Sequence, residues 1–246
     1  MFPLQHGPLI HFVFEAVAIS LGFRWYLVLR SRDANLHGQE QHRFILLVGC
    51  LLGAAIGNKA LFWIEFPPLF AKAGLGLGLL FGGQSIVGGM LGGLIGIELA
   101  KRLIGYRHST GDYFVFPLLL GLFIGRIGCF LAGLSDGTFG TPTSLPWGID
   151  FGDGLSRHPT QLYEMVFIMT LGFLLFHYRQ RFSAQAGLLF KVMLSVYLLW
   201  RFFIDFLKPV PYLYFGGLSG IQLVALIALV IYLPLTWHQA RKLHHA

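Results

Sequence analysis

Long apolar runs separated by short polar ones organise this chain. They fall near residues 9–29, 44–64, 84–101, 114–135, 160–177, 187–207 and 218–237. Each is close to the roughly 20 residues that an α-helix needs to cross a hydrocarbon core. The pattern therefore predicts an all-α polytopic membrane protein of about seven transmembrane helices, folded as one integral-membrane domain over 1–246. The stretch "AGLGLGLLFGG" ahead of the third run is also apolar and reads as a re-entrant or interfacial piece. No internal repeat pairs two halves of the chain, so an inverted-repeat transporter gains no support.

Composition strengthens this picture. The 246 residues are 55% hydrophobic and 12% charged, with a mean hydropathy of +0.68, whereas a soluble domain carries about a quarter charged residues. The net charge of +7 could suggest nucleic acid, but the basic residues are scattered between apolar runs, so no nucleic-acid partner is expected. Their placement instead sets an orientation. With the N-terminus outside, the inner segments hold ten: Arg30, Arg32, Arg43, Lys101, Arg102, Arg107, Arg179, Arg181, Arg241 and Lys242. The outer segments hold three: Lys72, Arg157 and Lys208. That asymmetry predicts an N-out, C-in protein of a bacterial inner membrane. The opening "MFPLQHGPLI" has no basic n-region, so no cleavable signal is expected. Cys50 and Cys129 both lie inside apolar runs, which argues against a disulfide framework or a zinc site.

Orientation gives each polar residue a depth. Lys59 lies past the middle of the outward-running second span, and Gln84 and Ser85 open the third from outside. Arg126 sits slightly beyond the middle of the fourth. His158, Gln161 and Glu164 occupy the first turns of the fifth, and Gln222 opens the seventh. Arg201, Asp205 and Lys208, spaced i, i+4, i+7, share one helix face at the outer end of the sixth. Nearly all these groups thus fall in the outer half of the bundle. A charge at membrane depth costs roughly 3 kcal/mol or more, so it faces a partner or a wet cavity. Arg24 and Lys191 lie near the inner boundary and are expected to snorkel. Lys59 pairs with Glu15 or Glu65 as readily as it binds a ligand. Asp205 reads as an orienting partner for Arg201 or Lys208, and Glu164 as a tie to a neighbouring helix. Arg126 has no acid at i±3 or i±4, which excludes an intrahelical pair.

Convergent arginines in one leaflet suit an anionic ligand. Arg126 and Arg201, with Lys59, could clamp a phosphate by bidentate hydrogen bonds, and the abundant phosphate at that depth is a phospholipid headgroup. A transferase acting there would also need a base, for which His158, Glu164 and Asp205 are the titratable candidates. His158 precedes Pro159, so a loop-anchoring role is an equal alternative. The glycines of "GGQSIVGGMLGGLIG" make small-xxx-small spacings, Gly88–Gly92 and Gly92–Gly96, that either pack helices closely or thin a wall beside a lipid headgroup. The outer loop from Ser135 to Arg157 carries Asp136, Asp150 and Asp153, which form turns or shape an acceptor site.

Taken together, "GRIGCFLAG", "RHPTQLYE", "WRFFIDFLK", "LSGIQL" and "GAAIGNKALFW" resemble signature segments of the prolipoprotein diacylglyceryl transferase family. The resemblance runs from the second apolar run to the seventh. It implies seven spans, an outside N-terminus and an active site facing the outer leaflet. The implied reaction moves diacylglyceryl from phosphatidylglycerol to a lipobox cysteine of a prolipoprotein and releases glycerol phosphate, with no metal or organic cofactor. By motif Arg126 and Arg201 match the family's essential arginines, while Lys59 replaces an arginine, Asp205 a glutamate and Lys208 another arginine. With the polar residues placed by depth, the candidate catalytic set is Arg126, Arg201, His158 and Glu164, and the candidate substrate-binding set is Lys59, Gln84, Ser85, Gly88, Gly89, Gln161, Asp205, Lys208 and Gln222.

The chain departs from the family pattern at three residue positions, and its loop after the fourth run is shorter than the family's usual one. Val87 stands where a histidine is expected, Cys129 replaces an asparagine, and a tyrosine early in the first span is missing, with Val13 or Phe14 at that depth. These changes leave the phosphate clamp and remove groups that would activate a thiol. A paralogue that transfers a lipid or headgroup part to a non-lipoprotein acceptor, and a non-enzymatic lipid-binding or transport protein, remain the competing readings.

Overall fold

The structure, a computed structural model, describes residues 7–32, 40–68 and 83–242. Lys72 and nearly all of the "AGLGLGLLFGG" stretch lie outside the described residues. Seven helices of 17 residues or more occur among the described residues: α1 Gly7–Ser31, α2 Glu40–Glu65, α3 Ile86–Ile104, α4 Val115–Ala132, α5 Thr160–His177, α7 Leu188–Ile204 and α8 Gly220–Arg241, with the short α6 Arg179–Ser183 between α5 and α7. They coincide with the seven apolar runs. Five of them, α1, α2, α4, α5 and α8, are long and apolar enough to cross a membrane. The other two differ for visible reasons: α3 carries Glu98, Lys101 and Arg102, and α7 has 17 residues.

Local chemistry accounts for several helix ends. The Ser85 hydroxyl caps α3 by accepting from Gly88 N–H at 3.4 Å. That helix stops at Gly105, whose φ of 69° is the left-handed conformation glycine adopts without a Cβ penalty. Ser219 and Gln222 form a capping box at the start of α8. At the end of α4, Gly133 (φ 62°) turns the chain into a 3-10 turn, Gly133–Asp136. A two-residue hairpin follows, β1 Ile149–Asp150 against β2 Ser156–Arg157, with Ile149 opposite Arg157.

Helix α7 lies at the centre. Its Leu188, Met193, Leu194, Tyr197 and Leu198 are fully enclosed, packed with Val115, Leu119, Ile168, Leu171 and Ala225 of α4, α5 and α8. The rim helices turn apolar side chains outward, among them Phe12, Leu52, Ile56, Phe173, Ile227 and Val230. Such a surface is unfavourable in water and suits contact with lipid.

Helices α2 and α3 pack backbone to backbone. Gly49, Gly53 and Gly57 face Gly96, Gly92 and Gly88, and a Cβ on any of these six would run into the opposing helix's carbonyl. The glycine spacing is thus a close helix seam. Helix α1 packs on α4, where Gly128 leaves room for Phe14 and the backbone of His11.

Candidate active site

Arg126, on α4, has its partner on the next helix. Its Nε lies 2.9 Å from Glu164 Oε2, and Nη2 donates to Oε1 at 3.1 Å. Glu164 also faces Arg201 Nη1 on α7 at 3.5 Å and accepts from the Tyr197 hydroxyl at 2.9 Å. One enclosed carboxylate therefore ties two guanidinium groups together, and all three residues are at most 5% exposed. Three helices, α4, α5 and α7, meet at this point. Arg201 in turn reaches Asp205 one turn on, at 3.3 Å, and Asp205 accepts from the Ser219 hydroxyl. The chain runs on through Gln222, whose amide donates to the Phe202 carbonyl at 3.1 Å. Burying charges without such partners would be prohibitive, so the network is a condition of the arginines being there.

The network opens into a cavity of about 810 Å³. At one end the lining is apolar and runs along α1 and α4, through Ala18, Ile19, Gly22, Phe23, Leu118 and Leu122. At the other it is polar: Arg126, Cys129 and Asp136 from α4 and its 3-10 turn, Arg201, Asp205 and Lys208 from α7 and beyond, Gln84 and Ser85 ahead of α3, and Glu65 from α2. His11 and Glu15 add groups from α1. A long apolar trough ending in fixed guanidinium groups matches the two halves of a phospholipid, and Gly125 beside Arg126 leaves the lining open, with nothing near the place a Cβ would take.

The residues expected from sequence divide between this cavity and its supports. Arg126, Arg201, Asp205, Lys208, Gln84 and Ser85 reach the cavity, and Glu164 holds the two arginines from behind. Ser85 is at the same time the cap of α3, and its N–H donates to Asn58 Oδ1 at 2.8 Å. Lys59 is not part of the lining; it donates to the Gly83 carbonyl at 2.8 Å, ahead of α3. Gly88 lies in the α2–α3 seam, and Gly89 faces Ala54 and Asn58. Gln222 works as a helix cap. Gln161 is enclosed on α5, and neither atom of its amide has a hydrogen-bond partner among the described residues. His158 sits in the loop between α4 and α5, its backbone N–H donating to the Thr141 carbonyl at 3.1 Å and its Nδ1 3.3 Å from the Tyr163 hydroxyl.

The acids of the loop between α4 and α5 part company. Asp150 accepts from Gly152 and Gly154 N–H at 2.8 and 3.1 Å, and Asp153 binds Arg157 Nε at 3.0 Å. That guanidinium holds the Asp153 carboxyl below the usual carboxylate range. Both acids shape the hairpin, whereas Asp136 faces the cavity. Val87 and Cys129, two of the departures from the family pattern, are on the cavity wall. Tyr26 lines it too, stacked on Phe114 with centroids 4.3 Å apart and accepting from Arg30 at 2.6 Å. His11 is the residue that sequence reasoning missed. The available signal was a histidine one turn before Glu15 in an otherwise apolar run.

Comparison with known proteins places the chain in context. The family model for prolipoprotein diacylglyceryl transferase matches residues 10–238. Similar proteins named phosphatidylglycerol–prolipoprotein diacylglyceryl transferase occur in Solidesulfovibrio magneticus, 32% identical with 95% of this chain and 96% of the relative covered. Another occurs in Coxiella burnetii, 33% identical with 92% and 89% covered, and another in Clostridium tetani, 28% identical with 87% of each covered.

Proposed function

The chain belongs to the prolipoprotein diacylglyceryl transferase family, and from that premise we propose that it moves a diacylglyceryl group from phosphatidylglycerol to the lipobox cysteine of a prolipoprotein, releasing glycerol phosphate. The observation that carries this reading is the Arg126–Glu164–Arg201 cluster at the polar end of an apolar trough. The acyl chains lie along α1 and α4, which brings the phosphodiester to Arg126 and Arg201. When the acceptor sulfur attacks the glycerol carbon, the C–O bond breaks and negative charge collects on the departing glycerol phosphate. Two guanidinium groups already fixed by Glu164 stabilise that charge without reorganising at the moment of reaction. Lys208 is also at the lining, its ammonium pushed down to about 7 by burial and by the neighbouring arginines, so it adds part of a third charge. In this reading the seven helices all span the inner membrane of a bacterium, N-terminus outside, and the cavity faces the outer leaflet.

A second reading is favoured by the wall itself. Val87 and Cys129 line the cavity where the family pattern has a histidine and an asparagine, so a lipid or headgroup part could pass to a different acceptor. Incubating purified protein with labelled phosphatidylglycerol and a lipobox peptide separates the two. Lipidated peptide is the expected product. Label that moves to another acceptor, with unmodified peptide, overturns the leading reading, and no transfer of any kind leaves a lipid-binding protein. Arg126→Ala should lower transfer by about 10²–10³-fold, the usual effect of removing one preorganised donor.

A further inference from the structure

Transfer to a thiol needs a proton acceptor, and the three titratable groups expected to supply it are committed elsewhere. Glu164 is enclosed, with Oε1 accepting from Arg126 and Tyr197 and Oε2 facing both arginines. Asp205 gives Oδ1 to Arg201 and Oδ2 to the Ser219 hydroxyl. His158 is not among the lining residues, and its Nδ1 faces the Tyr163 hydroxyl.

His11, on α1, does line the cavity, and 32% of its side chain is exposed, enough for a substrate to reach it. Its Nδ1 lies 2.9 Å from Asp136 Oδ1. Asp136 is anchored in turn, because its Oδ2 accepts from the Thr138 hydroxyl. A carboxylate at Nδ1 favours the tautomer with the proton on that nitrogen and leaves the Nε2 lone pair as the basic one. Glu15 Oε2 stands 3.9 Å from Nε2, beyond hydrogen-bond reach, so that lone pair is available. From the end of α4, Cys129 Sγ lies within 4.8 Å of the ring and of the Asp136 carboxylate, and Arg126 Nη1 donates to the same sulfur at 3.6 Å. One thiol thus separates the imidazole from a guanidinium of the phosphate clamp.

We propose that His11 is the general base of the transfer, accepting the proton of the acceptor cysteine, with Asp136 as the residue that positions its ring. The assignment rests on the diacylglyceryl-transfer reading. The acceptor S–H bond gives its proton to Nε2 as the sulfur forms the C–S bond. The C–O bond breaks, and its electron pair leaves with glycerol phosphate between Arg126 and Arg201. The imidazolium, flanked by Asp136 and Glu15, then releases the proton to solvent. Glu15 and Glu65 also line the cavity, but an ordinary imidazole, at about 6.5, is matched to a thiol at about 8.5 more closely than a carboxylate at about 4. Lys208 belongs to the phosphate side, its backbone N–H donating to the Asp205 carbonyl at 3.1 Å. Val87 leaves the α3 wall without an imidazole, and α1 brings one to the same cavity.

The test measures transfer from labelled phosphatidylglycerol to a lipobox peptide by full-length protein in detergent from pH 6.5 to 9.5, beside equilibrium binding of the labelled lipid. His11→Ala should lower kcat about 10²–10⁴-fold at neutral pH and keep its affinity for the lipid. The deficit should shrink as pH rises through the ordinary thiol range near about 8.5, because a preformed thiolate needs no base. His11→Gln, which keeps a polar side chain, should show the same pH-dependent deficit, and Asp136→Asn a smaller loss in kcat with KM for the lipid unchanged. A His11→Ala deficit equal at every pH, or normal turnover in His11→Gln, overturns the base. So does an alkaline-rescued deficit in Lys208→Gln with His11→Ala unaffected, which would move the role to Lys208. If the unaltered protein lipidates no peptide at any pH, the transfer reading itself falls and the base falls with it.

Discussion

At the scale of single residues, Glu164 is the hinge of the site, because it is the anion that lets Arg126 and Arg201 occupy the same enclosed space. Removing one partner of such a buried cluster leaves uncompensated charge, at a cost of about 3–5 kcal/mol. Glu164→Gln should therefore lower the thermal midpoint of the detergent-solubilised protein clearly, as well as its transfer rate. An unaltered midpoint would mean that the arginines are solvated from the cavity and need no carboxylate. Arg126→Lys is a sharper probe of geometry. Lysine keeps the charge but lacks the planar fork that reaches both oxygens of Glu164, so transfer should fall nearly as far as in Arg126→Ala. Measured side by side with labelled phosphatidylglycerol, a near-normal lysine variant would show that charge alone suffices.

The helices impose their own tests. Between α2 and α3 the carbonyls stand where side chains would be, and Gly92 meets Gly53 there. Gly92→Val should force the pair apart, an overpacking cost of about 1–3 kcal/mol or more. It should reduce both folded yield and thermal midpoint. Gly89 is one residue round from Gly88, and a methyl group on its Cα would stand 3.8 Å from its nearest neighbours, an ordinary contact distance. Gly89→Ala should be neutral or slightly stabilising, by about 0.5–1 kcal/mol through reduced backbone entropy. Equal behaviour of the two variants in a thermal-shift assay would show that the seam tolerates side chains and is no backbone-to-backbone contact. A similar logic applies to α1, where Gly128 of α4 gives His11 its approach to the cavity.

For the whole molecule the decisive question is which side of the membrane the cavity faces. The basic residues cluster on the inner segments of the proposed topology, so a cysteine at Leu155 in the outer hairpin should react with a membrane-impermeant thiol reagent in intact cells. A cysteine at His108, between α3 and α4, should react only after permeabilisation. Both positions are exposed. The reverse pattern would turn the bundle over and with it the leaflet from which lipid enters. A transport pathway would need polar groups continuing to the far end of the cavity. That end is instead lined by Ala18, Ile19, Phe23 and Leu122, with Tyr26 the polar side chain among them, which suits acyl chains.

The apolar runs alone determined where the seven long helices lie, because the length and hydrophobicity of a span are local properties of the chain. They also showed that Arg126 needed a partner outside its own helix, since spacing along α4 excludes an acid on the same face. Which acid that is, Glu164 38 residues away, is a matter of how α4 and α5 pack. So is the division of the candidate residues into lining and support: the apolar runs put Gln222, Gly88 and Lys59 in the same expected half of the bundle as Arg201, but they face a helix end, a helix seam and a carbonyl. Depth is one coordinate, and a binding site needs all three. The convergence of His11, Cys129 and Asp136 depended most on tertiary structure. A residue near the start of α1 meets the end of α4 only because Gly128 leaves space for the approach, and no pattern along a single helix encodes that contact.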